Sequence, residues 1–562
     1  MFHMKHYRVT ERTQDNLVEQ LLQNRGVSYE TKGVFLNPDF ERDLHDPFLM
    51  TDMLVAVERV LVARETNEKV VIYSDYDCDG IPAGTLMHDL FKKVGITNFT
   101  NYIPHRHNDG FGLNMNAVNT FIEDAVTLLI VLDCGTVSFD EIAHAKANGI
   151  DVIVIDHHET AQGRIPDVVA LLNPRRDTAY PWRSLCACGV AFKFAQAFLM
   201  KLREREPAID IPLGWERWLL DLVALSTISD MVPLVDENRV LVTYGLKVLR
   251  KTRRHGLLRL LRDNKVNPAH ITEDDIGFTI GPRINAASRM GIPRIAFTML
   301  SGDDTTGPEA AQELEDLNKS RKAKVAAMTR EVHQKFKHMD EIPPVIVIGN
   351  PDWMPSLAGL LANSLSEEYK RPAFVWGRDG KGHIKGSCRS ASTSVVALME
   401  HAQEAILQGG GHHQAGGFEV ADDKIHTLGA ALCAAHDALS EDSEAVSYET
   451  VVDATLSLHE LTNETYASIA SLAPFGMKNT KPLFQIPNVT PHTVELFGKT
   501  KEHTKITLEG MQHHIPAIAF FRTPDSFHME PEAGKTCTLI AHFEESYFMN
   551  KRELRLRIVD VL

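Results

Sequence analysis

One short acidic stretch constrains the fold of this chain more than any other feature. The segment Asp75-Tyr76-Asp77-Cys78-Asp79-Gly80 follows a run of strand-forming residues, Val70-Val71-Ile72-Tyr73, and precedes an apolar segment of helical spacing at 81–94. A strand that ends in clustered Asp and turns into a helix places the carboxylates at the carboxyl edge of a sheet, where open α/β folds bind ligands. Three ionised carboxylates this close repel one another, and a divalent cation such as Mg²⁺ or Mn²⁺ would relieve that repulsion.

A calcium-binding EF-hand loop is an alternative, because it also begins with Asp-x-Asp-x-Asp-Gly. Its twelfth position carries a bidentate Glu, and here that position is Leu86. An EF-hand also has a helix before the loop, whereas this chain has the strand-forming run. The pattern therefore favours a metal site at a sheet edge.

Two later apolar runs end in the same manner. Residues 127–131 lead into Asp133, and residues 151–155 lead into Asp156-His157-His158, with a helical pattern at 139–148 between them. Continuous apolar strands that alternate with helices predict a parallel sheet. The carboxyl ends of parallel strands lie side by side, so we expect these side chains to converge with the first acidic stretch.

Asp230 is a further candidate, because it stands where the apolar segment that includes 222–225 breaks off. The combined donors exceed what one metal ion needs, and imidazole together with carboxylate suits divalent transition metals. Two ions about 3.5–4 Å apart are the economical solution, and such pairs hydrolyse phosphoesters. The side chains expected to converge are Asp75, Asp77, Asp79, Asp133, His157, His158 and Asp230.

Composition is that of an ordinary globular protein, with 44% hydrophobic and 24% charged residues. The 562 residues predict about three or four domains. No apolar run reaches membrane-spanning length, the N-terminus lacks the apolar core of a signal peptide, and the seven scattered cysteines fit a reducing compartment. We therefore expect a cytoplasmic protein with no membrane partner.

A net charge of −16 argues by itself against nucleic-acid binding, although part of it belongs to the predicted metal site. Basic residues crowd the segments 250–262 and 319–330, and each cluster is equally compatible with a solvated helix face. The loop at 102–113 carries Arg106, which could fork onto a phosphate, and Phe111, which could stack on a base.

The second half of the chain predicts a separate α/β unit. Residues 311–339 contain neither Gly nor Pro and indicate one long charged helix between domains. A strand at 344–348 then opens a unit that carries a Gly-Ser-Cys-Arg-Ser segment at 386–390 and a glycine-rich run at 409–417. Such glycines either let the backbone approach phosphates or form a flexible loop. Short alternating runs from about residue 451 suggest a small β-barrel of the oligonucleotide-binding kind.

The motifs together resemble those of the DHH phosphoesterase family. The four characteristic segments are Asp75–Gly80, Asp133-Cys134-Gly135, Asp156-His157-His158 and Ser229-Asp230-Met231-Val232-Pro233-Leu234. Further segments, among them Gly281-Pro282-Arg283-Ile284-Asn285-Ala286 and Pro474-Phe475-Gly476-Met477-Lys478-Asn479, follow in the order of the family's single-strand-specific 5′→3′ DNA exonucleases. The resemblance covers nearly the whole chain.

That resemblance implies an α/β architecture in consecutive parts. After an N-terminal segment at 1–66, a DHH parallel-sheet domain at 67–305 is joined by a long helix at 306–340 to a smaller α/β DHH-associated domain at 341–445. An oligonucleotide-binding β-barrel at 446–562 completes the chain. A channel between the sheet domain, the helix and the associated domain would admit one strand and exclude duplex DNA.

The resemblance also implies roles for individual residues. Two Mn²⁺ or Mg²⁺ ions would be held by Asp75, Asp77, Asp79, Asp133, His157 and Asp230, and Asp156 and His158 complete the implied catalytic set. The implied DNA and phosphate contacts are Arg106, Phe111, Arg283, Arg289, Ser387, Arg389, Gly411 and His412, of which Arg106, Ser387 and Arg389 would bind the 5′-phosphate. Implied partners are single-stranded DNA, a single-strand DNA-binding protein and a RecQ-type helicase, and a monomer is expected.

The chain departs from the family pattern at a few places. Phe111 stands where the family usually has Tyr, Ser288 replaces a glycine, Cys78 replaces a small apolar residue, and Cys186-Ala187-Cys188 replaces a glycine-containing run. These departures concern the substrate path rather than the predicted metal ligands.

Two other functions compete with the exonuclease hypothesis. A nanoRNase or cyclic-dinucleotide phosphodiesterase of the same superfamily usually has His where this chain has Tyr73, and lacks the C-terminal β domain. A non-catalytic DNA-binding replication scaffold would have lost motif carboxylates, and none is missing here.

Overall fold

The computed structural model describes residues 6–107, 109–161, 164–441, 449–498, 500–508, 515–548 and 551–562. The chain divides into two compact units. The larger unit comprises Asp46–Asp230 and Val248–Val446, and the smaller unit comprises Met1–His45, Met231–Lys247 and Ser447–Leu562.

The helices and strands are numbered in chain order. The helices are α1 Leu17–Asn24, α2 Tyr29–Leu36, α3 Met53–Glu65, α4 Gly80–Lys93, α5 Met115–Glu123, α6 Phe139–Ala147, α7 Ala187–Arg205, α8 Leu220–Ser229, α9 Asp236–Leu249, α10 His255–Asp263, α11 Glu273–Asp275, α12 Gly281–Arg289, α13 Arg294–Ser301, α14 Thr306–Phe336, α15 Pro355–Tyr369, α16 Val395–His401, α17 Ile425–Glu441 and α18 Asn463–Ala470. The strands are β1 His6–Val9, β2 Val70–Ser74, β3 Phe99–Tyr102, β4 Leu128–Leu132, β5 Asp151–Ile155, β6 Ala170–Leu172, β7 Ile346–Gly349, β8 Ala373–Arg378, β9 Ile384–Arg389, β10 Gln408–His412, β11 Ala415–Val420, β12 Glu449–Val452, β13 Ala454–Thr455, β14 Phe484–Val489, β15 Pro491–Phe497, β16 His503–Leu508, β17 Ala517–Ala519, β18 Cys537–Phe548 and β19 Lys551–Val561.

The larger unit contains the predicted parallel sheet, with strand order β3-β2-β4-β5-β6. All of its strand pairs are parallel, and in register Val70 faces Leu128, which in turn faces Asp151. Every residue of β2 and β4 is buried, because helices cover both faces of such a sheet. The continuous apolar runs in the sequence are the consequence, and the three strands that end in Asp or His are neighbours.

The long connecting helix is confirmed as α14, which has 31 residues and begins at Thr306. A second sheet of the larger unit follows it, with strand order β10-β11-β9-β8-β7. The glycine-rich run is the antiparallel hairpin of β10 and β11, in which Gly410 pairs with Gly417, rather than a flexible loop. Gly411 has φ +146, and a Cβ there would collide with the carbonyl of Ala415, so this position requires glycine.

The smaller unit contains a mixed sheet of order β13-β14-β18-β19-β17-β16-β15. Its core includes Phe484 and Phe543 of the sheet together with Leu21 of α1. The sequence indicates no strand within residues 1–66, but β1 lies there and pairs in parallel with β12. A four-residue strand whose partner is far away along the chain leaves no local pattern to detect.

The division into two units differs from the five consecutive parts that the resemblance implies. Residues 231–247 belong to the smaller unit, where Arg239 donates hydrogen bonds to the carbonyl oxygens of Phe35, Leu472 and Ala473. The boundary between 445 and 446 lies outside the described residues, and the remaining boundaries stay predictions. Across the described part of the chain, no helix combines the length and the apolar character that a membrane crossing requires.

Candidate metal centre and adjoining cationic pocket

The ends of β2, β4 and β5 gather the acidic and imidazole side chains that the sequence predicts. Within the described residues, donor atoms lie within 4.8 Å of one another in three groups: Asp75, Asp77 and Asp133; Asp79, His157 and Asp230; and Asp133, His157 and His158. Asp133 and His157 each belong to two groups, so the groups form one continuous centre. Asp230, which follows helix α8 rather than a strand, joins it.

His157 lies in the middle of this centre. Its Nε2 atom is 3.3 Å from Oδ1 of Asp133 and 3.7 Å from Oδ2 of Asp79, and its Nδ1 atom is 3.8 Å from Oδ2 of Asp230. These separations exceed hydrogen-bond length and match donor atoms that surround an ion.

Backbone amides fix the first acidic stretch. Asp79 accepts hydrogen bonds from the N–H groups of Ala187 (2.7 Å) and Cys188 (2.9 Å) at the start of α7. Asp77 accepts from the N–H groups of Asp79 and Gly80. The sequence shows Cys186-Ala187-Cys188 as a departure from the family pattern and gives no sign of this contact, because a backbone role leaves no signature in the side-chain types.

The turns after β2 and β4 also need an unusual backbone. Gly80 lies so close to β2 that a Cβ there would be 2.5 Å from the carbonyl oxygen of Asp75. Asp133 has φ +61 and Gly135 has φ +103, so the chain reverses sharply just after β4. Strained backbone in a non-glycine residue persists where the surroundings enforce it, and such strain is concentrated at functional sites.

Asp156 is a hub of hydrogen bonds and a positioning residue. Its Oδ1 atom accepts from the backbone N–H of His157 (2.7 Å) and lies 2.7 Å from Nδ1 of His158, and its Oδ2 atom accepts from the N–H of Thr136. Burial alone would lower the pKa of His158, but the hydrogen bond and charge of Asp156 raise it to about 9. His158 is therefore held as a cation at neutral pH.

The electrostatics of the centre call for a cation. Burial, followed by repulsion from neighbouring carboxylates, raises the pKa of Asp75 and Asp133 well above the usual range and the pKa of Asp230 to about 8. Oδ1 of Asp75 and Nδ1 of His157 are buried without a hydrogen-bond partner. Oxygen-rich donors with one imidazole are what Mn²⁺ and Mg²⁺ accept, so the residues present fit such ions.

Arg106 and Phe111 flank the centre. The Arg106 guanidinium lies over the ring of Tyr76 at 5.0 Å from its centroid. Phe111 is 58% exposed, and its ring meets His158 edge to face at 5.7 Å. An exposed aromatic face beside buried acids is suited to hold a nucleobase.

Four arginines from separate segments form what we call the cationic pocket: Arg106, Arg289, Arg321 and Arg389. Burial, reinforced by repulsion from the other three, lowers the pKa of Arg289 to about 10. Ser387 and Arg389 of β9 face α15, where a Cβ at Gly359 would come within 3.2 Å of Nη2 of Arg389. Arg321 is absent from the predicted site, because in the sequence it is one member of a basic helix segment.

The remaining predicted phosphate contacts are placed differently. The Arg283 side chain is buried, with Nε donating to Glu315 (2.6 Å), Nη1 to the carbonyl of Thr279 (2.8 Å) and Nη2 to Asn264. All of its nitrogens are thus engaged within the protein. Gly411 and His412 lie on the exposed edge strand β10, and their predicted role stays a prediction.

Comparison with known families agrees with this fold and site. Residues 69–227 match the family described as "DHH family, N-terminal domain", residues 343–441 match "DHHA1 domain" and residues 452–560 match "RecJ OB domain". The fold is thus that of the DHH phosphoesterase class, and Asp75, Asp133 and His157 lie within the matched residues 69–227.

Individual relatives narrow the assignment. The chain is 32% identical over 550 residues to the single-stranded-DNA-specific exonuclease RecJ of Bacillus subtilis, covering 97% of this chain and 67% of that protein. It is 30% identical to RecJ of Escherichia coli, with 81% and 82% covered. The chain belongs to the RecJ family.

Solved structures show the same fold. RecJ of Thermus thermophilus, crystallised in complex with Mn²⁺, superposes with a TM-score of 0.79 at 24% identity and covers 97% of this chain and 75% of that one. An exonuclease RecJ bound to manganese gives a TM-score of 0.59 at 28% identity, covering 68% of this chain and 94% of the other.

Proposed function

We propose that this protein is a metal-dependent exonuclease that degrades single-stranded DNA from its 5′ end to 5′-mononucleotides, in DNA repair and recombination. The observation that carries the proposal is the cationic pocket beside the acidic centre. Metal-holding carboxylates alone suit many phosphoesterases, whereas a cluster of arginines next to them suits a substrate with several phosphates. The single-strand-specific exonucleases among the relatives support the same conclusion.

The metal ligands would be Asp75, Asp77, Asp79, Asp133, His157 and Asp230, which would hold two Mn²⁺ or Mg²⁺ ions. When bound, such a pair supplies an activated water and neutralises the charge that develops on the phosphoryl oxygens. The chain's own task is to keep the ligands in place. Asp156 fixes the backbone of His157 and the ring of His158, and the amides at the start of α7 fix Asp79.

The 5′→3′ direction of degradation would come from binding of the strand's 5′ end. Arg106, Ser387 and Arg389 would bind the terminal 5′-phosphate, and Phe111 would stack on the first base. Arg289 is the better candidate of the two α12 arginines for the phosphate next to the scissile bond, because Arg283 is engaged with Glu315. With the 5′-phosphate bound here, the next phosphodiester of the strand would lie toward the acidic centre.

The smaller unit offers an independent surface for single strands. Phe521 is 76% exposed and held in a left-handed backbone conformation (φ +55), and its N–H donates to Nδ1 of His503. Arg555 lies over the ring of Phe520 at 5.3 Å. Exposed aromatic rings interleaved with cations form the stacking platforms of sequence-tolerant single-strand binders.

The proposed function also includes protein partners, a monomeric state and a cytoplasmic location. A single-strand DNA-binding protein and a RecQ-type helicase would supply the substrate, and the protein would act as a monomer in the cytoplasm. All seven cysteines lie in the described residues as free thiols, which supports a reducing compartment. Sedimentation of the purified protein tests the monomer, and affinity capture from the native host tests the two partners.

End-labelled strands test the activity directly. A 5′-phosphorylated strand labelled at its 3′ end should shorten progressively from the 5′ end in Mn²⁺, and a duplex should resist. Asp133→Ala and His157→Ala should each lower hydrolysis at least about 10²–10³-fold while single-strand binding is retained. Full activity in either variant would refute the metal assignment.

Neither competing function is favoured by an observation on the site. Tyr73 is buried and donates its hydroxyl to the carbonyl of Gly112 at 2.7 Å, so it does not take the place of a metal-binding His. Faster cleavage of a dinucleotide than of a long strand would nevertheless point to a nanoRNase. Absence of bound metal in the purified protein, together with inactivity in added Mn²⁺, would point to a scaffold.

A further inference from the structure

A cavity lies beside Arg106, and apart from Arg106 none of its lining residues has a role in the function proposed above. It measures about 310 Å³ and is lined by Arg106, Asp109, Ser356, Asp379, Lys381 and Lys385, among others. The lining residues come from the loop after β3, from the start of α15 and from the β8–β9 hairpin. Its volume is at the lower end for ligand pockets, which suits a small anionic group rather than a nucleoside.

The two carboxylates of this cavity are occupied by their own loops. Oδ2 of Asp109 accepts the backbone N–H of His105 at 2.7 Å. Oδ1 of Asp379 accepts the N–H groups of Lys381 and His383, both at 2.9 Å. These hydrogen bonds shape the two loops and direct one oxygen of each carboxylate toward backbone amides, while Oδ2 of Asp379 faces His383 and Lys385.

The cations of the cavity are less committed. Among the described residues, Lys381 forms no ion pair and is exposed, and Arg106 contacts the Tyr76 ring rather than a carboxylate. Lys385 pairs with Oδ2 of Asp379 at 3.3 Å, whereas its contact with Glu419 is longer, at 3.8 Å. The amino end of the 15-residue helix α15 adds the positive end of a helix dipole at Ser356, whose hydroxyl itself donates to the carbonyl oxygen of Arg289.

We propose that this cavity is a subsite for the β- and γ-phosphates of a single strand that carries a 5′-triphosphate. The inference rests on the proposed function, in which Arg106 binds the phosphate attached to the first nucleotide. Arg106 lines the cavity and also lies beside the acidic centre, so it would bridge the α-phosphate and the added pyrophosphate group. Lys381 and Lys385 would neutralise the two outer phosphates.

The chemical outcome on such a strand differs from that on a monophosphate. Water attacks the first internucleotide phosphorus, the bond from that phosphorus to the 3′-oxygen of the first nucleotide breaks, and that oxygen takes a proton. The first product is then a nucleoside 5′-triphosphate, and the remaining strand carries an ordinary 5′-monophosphate. One triphosphate is released per strand, followed by mononucleotides.

The experiment compares three strands of one sequence, bearing a 5′-hydroxyl, a 5′-monophosphate or a 5′-triphosphate, with products separated by anion exchange. The unsubstituted protein should release one nucleoside triphosphate per strand, with a kcat/KM on the triphosphate strand within about tenfold of that on the monophosphate. In K381A/K385A the ratio of kcat/KM on the triphosphate strand to kcat/KM on the monophosphate strand should fall by about tenfold or more, because two charge-assisted contacts are lost. Lys424→Ala, at an exposed lysine outside the cavity, should leave the ratio unchanged.

The arms separate the possible failures. No 5′→3′ degradation of the monophosphate strand would refute the proposed function itself. Two results would overturn the subsite alone, provided that the monophosphate strand is degraded. One is degradation of the triphosphate strand more than about 100-fold slower than that of the monophosphate strand. The other is an unchanged ratio of the two kcat/KM values in K381A/K385A. In a further experiment, inorganic pyrophosphate is added to the hydrolysis reaction at constant free Mn²⁺. If pyrophosphate inhibits hydrolysis of the monophosphate strand, K381A/K385A relieves that inhibition and the triphosphate strand is not degraded, free pyrophosphate is the ligand of the cavity and the proposal fails.

Discussion

Nδ1 of His158 lies 2.7 Å from Oδ1 of Asp156, and the same carboxylate oxygen accepts the backbone N–H of His157. One buried acid thus sets the geometry of both histidines, although it belongs to none of the groups of potential metal donors. Outer partners of this kind control ligand orientation and basicity. The activity should therefore depend on Asp156 even without a direct contact to the ion.

Asp156→Asn should lower both kcat and Mn²⁺ affinity by about 10–100-fold. The neutral amide can no longer hold His158 as a cation, and it supplies one acceptor oxygen where the carboxylate has two. Metal titration by calorimetry and single-turnover hydrolysis measure the two effects. Asp140→Asn, at an exposed position of α6, is the matched control. Wild-type metal affinity in the Asp156 variant would show that the hydrogen bonds are dispensable.

Phe111→Ala should weaken binding of a 5′-phosphorylated strand by about 1–3 kcal/mol, the usual contribution of one stacked base. Phe111→Tyr should retain nearly full affinity, since it preserves the aromatic face that this chain exposes. Fluorescence anisotropy in Ca²⁺, which does not support rapid turnover at most Mg²⁺ sites, measures the affinities. Equal binding by the Ala and Tyr variants would mean that the ring does not contact a base.

Arg283 and Arg289 should give opposite results on substitution. Arg283→Ala leaves the half-buried Glu315 without its partner, and breaking a buried pair costs ~3–5 kcal/mol of folding free energy. Arg289→Ala should instead lower kcat/KM about 10–100-fold, because it removes a charge-assisted contact to phosphate. Thermal denaturation and steady-state kinetics on both variants separate the roles. A destabilised Arg289 variant with normal kinetics would reverse the assignment.

The metal-free protein should respond to pH through Asp230. Its folded pKa of about 8 is above the unfolded value of about 4. Between these values the folded state binds the extra proton, so this group's contribution to stability falls as pH rises. In EDTA, Asp230→Asn should thus gain in melting temperature relative to the wild type between about pH 5 and pH 8.

In saturating Mn²⁺, Asp230→Asn should instead have a lower melting temperature than the wild type, since the carboxylate then ligates the ion and its loss is destabilising. A melting-temperature difference that does not vary with pH in EDTA would mean that Asp230 ionises normally in the folded chain.

Much of the fold was accessible from sequence. The apolar runs before Asp75, Asp133 and Asp156 predicted neighbouring parallel strands, and the structure has them as β2, β4 and β5. The helix that follows the first acidic stretch and the long helix α14 were equally clear. These features are local, because side-chain burial repeats along the chain with the period of the element that produces it.

Other features depended on partners distant in sequence. The pairing of β1 with β12, the hairpin of the glycine-rich run and the membership of residues 231–247 in the smaller unit belong to this group. Arg283 and Arg289 are indistinguishable by residue type and lie six positions apart, yet one is bound by Glu315 and the other faces Arg106 and Arg389.

The amino-acid sequence by itself predicted that Asp75, Asp133 and His157 converge, because an Asp or His placed just after a buried parallel strand lies at the sheet's carboxyl edge. Only the tertiary structure decided which cations join that centre, since a guanidinium on a helix or hairpin is directed by the packing of its element and not by its neighbours in the chain. The ends of β2, β4 and β5 supply most of the acidic centre, and Asp230 joins it from the end of helix α8. The cationic pocket is assembled by contacts among a loop, two helices and the β9 strand.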